Sequence, residues 1–138
     1  MFGSKYFSKK VTIDGMKFDS TGEYHYWQYL KDLESKSEIF NLERQIPIEI
    51  IPRIDDKDGR CIFRATHYKA DFTYDDKAGI HHVVDFKGYE TPEFKLKRKL
   101  LLYVAHINLE IVDRDDLKGT PFEIKINKKK KLNDGTTD

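Results

Sequence analysis

Alternation of apolar and polar residues predicts strands in several parts of the chain. VTIDGMKF (11–18) alternates on both sides of Asp14-Gly15, a residue pair that is typical of tight hairpin turns. Longer strand-like stretches are separated by DDKDG and DDKAG, whose Asp and Gly residues favour turns, and these stretches are 46–54, 60–75 and 79–88. NLEIVD (108–113) predicts a further strand, and FEIKINKKKK near the end is a candidate for a short edge strand.

Two segments with helical periodicity carry recognisable start signals. Ser20 stands three residues before Glu23, the spacing of a capping box, at the head of a helix that runs to about Lys36. Thr91-Pro92-Glu93 supplies an N-cap, a first-turn proline and an early acid for a second helix to about Ala105. The order hairpin, helix, three strands, helix and strand predicts an α/β (α+β) fold with a mixed central sheet and a helix on each side.

Two charged residues interrupt the apolar strand HHVVDFKG. Strand alternation places Val83, Asp85 and Lys87 on one face. In the preceding strand it places Ala70, Phe72 and Tyr74 on one face and Lys69, Asp71 and Thr73 on the other. If the two strands pair through DDKAG, Asp71 lies near Asp85 with Lys87 beside them. Carboxylates that close repel each other unless a proton or cation intervenes, and an all-oxygen cluster favours Mg²⁺ or Mn²⁺. The alternative is a structural ion pair between Asp85 and Lys87.

Each predicted helix has one charged residue among its apolar positions. At about 100° per residue, Glu23 falls in the apolar arc of the first helix, formed by Tyr26, Trp27, Leu30 and Leu33. Lys97 falls in the corresponding arc of the second helix, formed by Leu96, Leu100, Leu101, Tyr103 and Val104. Lys95, Arg98 and Lys99 fall on the opposite arc, facing solvent or a partner. Each residue has an alternative explanation that involves no functional site. Glu23 can serve only to cap the helix, and the aliphatic part of Lys97 can lie along the core while its ammonium group reaches water.

Length and composition indicate a single domain. The chain has 138 residues and one cysteine, Cys61, so an internal disulfide framework is excluded. No apolar run has the length of a signal peptide or a membrane span, and we expect a soluble protein of the bacterial cytoplasm. We divide the domain into an N-terminal β-ribbon or arm (1–18), a core (about 19–124) and a basic flexible tail (125–138).

Charge is unevenly distributed along the chain. Residues 87–100 carry a net +3 and residues 125–131 carry +5. Since the total is +1, the rest of the chain carries −7. This polarity suits a protein that contacts a polyanion with one face and concentrates carboxylates elsewhere, for example around a cation. A solvated helix face with a frayed lysine tail explains the charge equally well.

The sequence thus predicts a glutamate on a helix (Glu23), an aspartate on a strand (Asp71) and an Asp-x-Lys sequence on the next strand (85–87). This combination resembles the active-site signature of the PD-(D/E)XK nuclease superfamily, in the form shared by small phage-type endonucleases that include Holliday junction resolvases. FDSTGEYHYWQYL, ERQIPIEI, YKADFTY, VVDFKG and EFKLKRKL are similar to a phage and bacterial family of that superfamily, over roughly residues 5–112. Ala70 stands where the superfamily pattern has a proline before Asp71. That proline is often missing, so the departure weakens the resemblance little.

The resemblance implies a restriction-endonuclease-like fold and assigns roles to residues. The implied catalytic residues are Glu23, Asp71, Asp85 and Lys87. The implied ligands of Mg²⁺ or Mn²⁺ are Asp71, Asp85, Glu23 and the backbone carbonyl of Phe86. Lys87 would orient or deprotonate the attacking water or neutralise developing charge, and the products would carry a 5′ phosphate and a 3′ hydroxyl. Gln45 is a candidate accessory residue, although a polar residue at the start of a strand is the simpler interpretation.

The resemblance also implies a nucleic-acid partner. The residues expected to hold the DNA backbone are Lys97, Lys95, Arg98, Lys99, Lys9 and Lys10. We therefore hypothesise a metal-dependent DNA endonuclease that acts on branched DNA as a homodimer, with no membrane partner and no small-molecule cofactor. The alternatives are a nuclease for linear duplex, single strands or RNA, and a non-catalytic DNA-binding or assembly module.

Overall fold

The computed structural model describes residues 10–125 and contains a mixed four-stranded sheet. The elements are β1 (Val11–Ile13), β2 (Met16–Phe18), α1 (Thr21–Ser35), β3 (Ile39–Ile51), β4 (Ile54–Asp55), β5 (Cys61–Phe63), β6 (Thr66–Asp76), β7 (His81–Phe86), α2 (Pro92–Ala105), β8 (Glu110–Val112) and a 3-10 helix at Arg114–Leu117. The sheet order is β3-β6-β7-β8, antiparallel except for the parallel pair β7–β8. Helix α2 makes the crossover that a parallel pair requires. The predicted mixed α+β sheet is confirmed.

The strand boundaries differ from the prediction in the middle of the chain. β3 begins seven residues earlier than expected, and the strand predicted at 60–75 is interrupted at residues 64–65. β3 and β6 pair up to Ile51 and Thr66, so the residues between those positions leave the sheet and form the separate hairpin β4–β5. Residues 122–125 of the predicted C-terminal edge strand are not in a strand, and residues 126–131 lie outside the described part.

Both helices begin where their capping residues predict. The Ser20 hydroxyl accepts a hydrogen bond from the Glu23 N–H at 3.0 Å. The Thr91 hydroxyl accepts one from the Phe94 N–H at 3.1 Å, with Pro92 in the first turn. Side-chain oxygens at these positions satisfy backbone donors that have no partner within the helix. Neither helix between residues 10 and 125 has the length and apolar character needed to cross a bilayer.

The sheet separates two apolar clusters, one under each helix. The α1 cluster is centred on Tyr26, Leu30, Ile39, Phe72, Val84 and Leu117. The α2 cluster is centred on Ile50, Tyr68, Ala70, Val83, Phe94, Leu101 and Leu109. Val83 and Val84 are consecutive in β7 and belong to different clusters, because successive strand residues point to opposite faces. The predicted helix on each side of the sheet is therefore confirmed.

The side-chain alternation of β6 slips by one residue at Asp71. Ala70 packs in the α2 cluster, whereas Phe72 packs in the α1 cluster, although regular alternation would place both on one face. Across the ladder, Arg44 pairs with Phe72 and Ile46 pairs with Ala70, so Gln45 lies opposite Asp71. Gln45 has a left-handed backbone with φ of 57°. The prediction that Ala70 and Phe72 share a face was wrong. The pair Gln45–Asp71, in which Gln45 is left-handed, interrupts the regular alternation, so side chains before and after it point to opposite faces.

Strand β3 forms one edge of the sheet. It carries Pro47, and two of its residues, Asn41 and Gln45, have positive φ. A register shift occurs between Phe40 and Glu43, around Asn41. Proline has no N–H to donate, and residues in the left-handed region break the regular row of backbone groups. The outer side of this strand is consequently irregular.

Helix α2 is rotated relative to its predicted orientation. Phe94 and Leu101 are buried and Ala105 packs against the same cluster, while Leu96 and Tyr103 are 56% and 81% exposed. Apolar residues occupy nearly every side of this helix, so periodicity alone does not choose a face. Contact between the Phe94 and Tyr68 rings, with centroids 6.1 Å apart, fixes the orientation.

Gly22 allows α1 to approach strand β7 closely. A Cβ atom at this position would lie 2.4 Å from a ring carbon of Phe86. Alanine normally stabilises a helix relative to glycine, but here it would displace a packed ring. We expect Gly22→Ala to lower the free energy of unfolding by about 1–3 kcal/mol, measured by urea denaturation. Gly88→Ala is the matched control, since its Cβ would meet no atom within 4 Å, and an equal loss in both variants would contradict this interpretation.

A histidine near the start of β7 joins the three strands β6, β7 and β8. His82 Nε2 lies 2.8 Å from Asp76 Oδ2, and its Nδ1 lies 2.5 Å from Glu110 Oε2. The ring stacks on Tyr74 with centroids 4.9 Å apart. The hydrogen bond with Asp76, followed by that with Glu110, raises the pKa of His82. The same hydrogen bond lowers the pKa of Asp76.

These shifts give His82 a pH-dependent contribution to stability. Because its folded pKa is raised, the contribution is fully present below the ordinary value of 6.5 and is lost as pH rises through the folded pKa. The Asp76 contribution also stabilises the fold but depends on pH in the opposite direction: it is present above 3.8 and is lost as pH falls through the lowered folded pKa. We expect His82→Gln to destabilise the protein more at pH 5.5 than at pH 8.5 in urea titrations. An equal effect at both values would contradict a charged imidazole in the fold.

Candidate metal centre

Four residues that are distant in the sequence are linked by contacts at the β6–β7 pair, from the start of α1 on one face of the sheet to Phe94 of α2 on the other. They are Glu23 from α1, Asp71 from β6, Asp85 from β7 and Lys87 from the residues that follow β7. The three carboxylate side chains are only 2%, 7% and 1% exposed, respectively. The prediction that Asp71 and Asp85 lie close together with Lys87 beside them is confirmed, and so is the inward orientation of Glu23.

Asp71 and Asp85 are fixed by backbone groups of each other's strands. The Asp71 N–H donates to Asp85 Oδ1 at 2.9 Å, and the Phe86 N–H donates to Asp71 Oδ2 at 2.9 Å. The Tyr68 hydroxyl donates to Asp85 Oδ2. Both oxygens of Asp85 thus accept hydrogen bonds, while only one oxygen of Asp71 does so from the described residues. The prediction that the Phe86 carbonyl is a ligand stays untested.

Glu23 combines a helix-capping role with a place in the cluster. Its Oε1 accepts a hydrogen bond from the Asp19 N–H at 2.9 Å, so the side chain folds back over the start of the helix. Its Oε2 accepts one from the Gln45 side-chain amide at 3.0 Å. Gln45 is therefore in contact with the cluster, and its left-handed backbone places it there.

Lys87 lies between a carboxylate and an aromatic ring. Its Nζ is 3.5 Å from Asp85 Oδ2 and 4.6 Å from the centroid of Phe94. Its N–H donates to the Val112 carbonyl at 2.9 Å, which continues the parallel ladder past the end of β7. The ammonium group is thus held beside the acid cluster by an ion pair and a cation–π contact.

Burial and mutual repulsion perturb the carboxyl groups. Burial, followed by the charges of Asp85 and Glu23, raises the pKa of Asp71 to about 8. Burial likewise raises the pKa values of Asp85 and Glu23 above their ordinary range. The three carboxylates still outnumber the nearby cations, which are Lys87 at 3.5 Å from Asp85 and Arg44, whose charge partly opposes the rise in the pKa of Glu23. Such a cluster is stable near neutral pH only if it retains protons or binds a cation.

The oxygens best placed to share one cation come from Asp19, Glu23 and Asp71. One oxygen from each lies within 4.8 Å of the others. Two of the three residues are buried, and all three donors are the hard oxygen ligands that Mg²⁺ and Mn²⁺ prefer. The donor set therefore fits such an ion, with Asp85 immediately behind Asp71.

Sequence reasoning missed two residues of this centre. Asp19 precedes the N-cap Ser20 directly, and an acid beside a helix start could have been identified as a candidate on that ground alone. Tyr68 is buried beneath the cluster and donates to Asp85. No sequence signal identifies Tyr68, because its position three residues before Asp71 is ordinary for an aromatic strand residue.

The predicted basic residues do not all point as expected. Lys97 was expected to reach the site, but its Nζ lies 3.3 Å from the exposed Glu93 one turn earlier. Arg98 was expected to face outward, but it is half-buried and contacts Glu90 and the Leu109 carbonyl, each at 3.5 Å. Both differences follow from the rotation of α2. The remaining predicted contacts are Lys95, Lys99 and Lys10, which are exposed, and Lys9, which lies outside the described residues.

Fold and site together define a small α+β protein in which three buried carboxylates and one half-buried lysine cluster on a mixed sheet. A family model described as "Protein of unknown function (DUF1064)" matches residues 3–133, nearly the whole chain, and the protein belongs to this family. No curated protein and no solved structure matches the chain.

Proposed function

We propose that this protein is a metal-dependent endodeoxyribonuclease that hydrolyses phosphodiester bonds in branched DNA. The observation that carries the proposal is a continuous chain of close contacts in which Glu23 adjoins Asp71, Asp71 adjoins Asp85 and Asp85 adjoins Lys87. Three buried acids beside one lysine are costly to maintain as a structural feature, because their desolvation and repulsion oppose folding. A function that uses them accounts for their presence.

The residues divide into those that would hold a cation and those that would act on the substrate. Asp71, with Glu23 and Asp19, offers oxygens for Mg²⁺ or Mn²⁺. The Asp85 carboxylate holds Asp71 in place by accepting a hydrogen bond from the Asp71 N–H. A divalent cation there supplies an acidified water and stabilises negative charge on phosphate. Lys87 Nζ can orient the attacking water, take its proton or neutralise charge on the phosphate, and these roles stay open. Gln45 holds the Glu23 carboxylate in place.

The substrate and the oligomeric state are part of the same proposal. Exposed Lys95, Lys99 and Lys10 supply positive charge for phosphate contacts that are independent of base sequence. Homodimerisation would place two such sites on opposed strands of a junction. The uneven charge of the chain supports a polyanionic substrate.

Cleavage of a four-way junction tests the proposal. We expect purified protein with Mg²⁺ to cut the junction faster than the matching linear duplex, leaving 5′ phosphate and 3′ hydroxyl ends. Equal rates on both substrates would remove the preference for branched DNA. Failure to cut any DNA or RNA would favour a non-catalytic DNA-binding module. In calorimetry, we expect Mn²⁺ binding that weakens at least tenfold in Asp85→Asn, in the range known for residues that orient metal ligands.

A further inference from the structure

A cavity of about 330 Å³ lies between the hairpin β1–β2, helix α1 and the segment at Phe122. Aromatic side chains from all three parts line it, namely Phe18, Tyr24, Trp27 and Phe122. A volume of this size is at the lower end of the range for small-ligand sites. Neither the metal centre nor the contacts of Lys87 account for it.

The walls and rim of the cavity suit a flat ring with polar edges. Phe18 and Tyr24 meet edge to face, with ring centroids 5.3 Å apart. The Gln28 amide donates to the Tyr24 hydroxyl at 2.9 Å, and both residues line the cavity. Phe18 is only 2% exposed and lies under Arg44, so the rings available to a ligand are Tyr24, Trp27 and Phe122. Such rings bind nucleobases by stacking, whatever the base, because every base has a π face. Amide and hydroxyl groups at the rim can contact its polar edge.

Positive charge lies at the same place. Lys31 Nζ is 5.6 Å from the centroid of Trp27 and also lines the cavity. The Arg44 guanidinium lies over Phe18, with its central carbon 4.2 Å from the ring centroid. The Arg44 Nε is buried and has no hydrogen-bond acceptor among the described residues. The lining thus contains one cation, Lys31, and one acid, Asp14, and Arg44 adds a second cation behind Phe18. Aromatic rings with a cationic excess complement a nucleotide, which combines a base with a phosphate.

The cavity adjoins the metal centre through the start of α1. Phe18 of the cavity directly precedes Asp19, whose N–H donates to Glu23. Tyr24 of the cavity directly follows Glu23. Strand β3 also connects the two places, because the Arg44 guanidinium covers Phe18 and the next residue, Gln45, donates to Glu23. The cavity and the acids thus share the start of α1, and this shared element is the basis for assigning both to one nucleotide strand.

We propose that the cavity holds one unstacked nucleobase next to the phosphodiester bond that is cut. This inference rests on the proposed nuclease function and sharpens its substrate: the strand must have an unpaired or extruded base beside the cleaved bond. Continuous duplex holds its bases in the stack and would have to extrude one, at a cost of a few kcal/mol. A branch point, flap or gap supplies such a base at lower cost.

Tryptophan fluorescence provides a direct probe, because Trp27 is the only tryptophan of the chain and lines the cavity. The full-length protein is titrated in EDTA, where no cleavage occurs, with a short single-stranded oligonucleotide and with its abasic sugar-phosphate counterpart of equal length. We expect the oligonucleotide to quench Trp27 emission and to bind about 5- to 100-fold more tightly than the abasic strand, the range for one stacked base. A mononucleotide is the third ligand, and it should bind more weakly than the oligonucleotide.

Variants of α1 residues test whether the preference for the base-containing strand arises in the cavity. Tyr24→Leu removes a ring at similar volume, and Lys31→Ala removes a cation from the rim. Both should reduce the preference for the base-containing strand, while Lys36→Ala, at the C-cap of the same helix and paired with Asp32, should leave it unchanged. Circular dichroism confirms folding of each variant.

The outcomes separate this inference from the nuclease proposal. Base-dependent quenching that Tyr24→Leu reduces supports the cavity assignment, whether or not the protein cuts DNA with Mg²⁺. Equal affinity for normal and abasic strands overturns the assignment, even if cleavage is observed. Mononucleotide binding as tight as that of the oligonucleotide would also overturn it, because the site would then belong to a free nucleotide.

Discussion

Lys87→Ala is expected to reduce phosphodiester cleavage by about 10²- to 10⁴-fold, the range for loss of a positioned proton-transfer or charge-stabilising group. Its Nζ is the described cation nearest to the acid cluster, 3.5 Å from Asp85. The residue is not among the oxygen donors, so Mn²⁺ binding by calorimetry should persist in the variant. This combination of lost turnover and retained metal distinguishes a catalytic lysine from a structural ion pair.

The control for Lys87→Ala is a lysine with a similar ion pair away from the cluster. Lys77 Nζ lies 2.9 Å from Glu38 at the turn between β6 and β7. Lys77→Ala should retain the wild-type rate. Unchanged cleavage in Lys87→Ala, measured in single-turnover assays on the four-way junction, would rule out the assigned role.

Asp71→Asn is expected to make the metal-free protein more stable while it abolishes metal binding. Asparagine keeps an oxygen that can accept the Phe86 N–H but removes a buried negative charge from the cluster. The raised pKa of Asp71, about 8 in the fold, means that the wild type loses stability as pH rises from 3.8 to that value. The loss is at most about 1.4 kcal/mol per pH unit, and the variant should lack it.

Urea denaturation in EDTA at pH 5 and pH 8 measures this difference, and the variant's advantage should be larger at pH 8. Added Mn²⁺ should stabilise the wild type, by about 2.7 kcal/mol at one hundred times the dissociation constant, and should leave the variant unchanged. Asp75→Asn, on the same strand, is the control. Hydrogen bonds from Asn41 and His81 lower the pKa of Asp75, so its loss should destabilise the protein. A less stable Asp71→Asn protein at both pH values would contradict the repulsive cluster.

Local signals predicted the parts of the centre that depend on neighbouring residues in the sequence. The capping residues Ser20 and Thr91 fixed both helix starts. The DDKAG turn brought β6 and β7 into register, and this register places Asp71 across from Asp85. These relations follow from periodicity and turn chemistry, which act over a few residues.

Relations set by tertiary packing could not be predicted in the same way. The left-handed backbone of Gln45 and the slip at Asp71 depend on pairing between β3 and β6, which are distant in the sequence. The orientation of α2 depends on the fit of Phe94 against Tyr68. A helix that is apolar on most sides leaves such a choice to shape complementarity, and Lys97 and Arg98 were misplaced for that reason.

The irregular outer side of β3 has a consequence for association between molecules. An exposed edge strand of 13 residues would ordinarily act as a template for a strand from another copy, the first step toward sheet extension and aggregation. Pro47, which has no N–H, and the left-handed residues Asn41 and Gln45 interrupt the regular backbone of this edge strand, and such interruptions disfavour the addition of another strand. The left-handed backbone that turns Gln45 toward Glu23 is thus at the same time a departure from the regular edge that sheet extension requires.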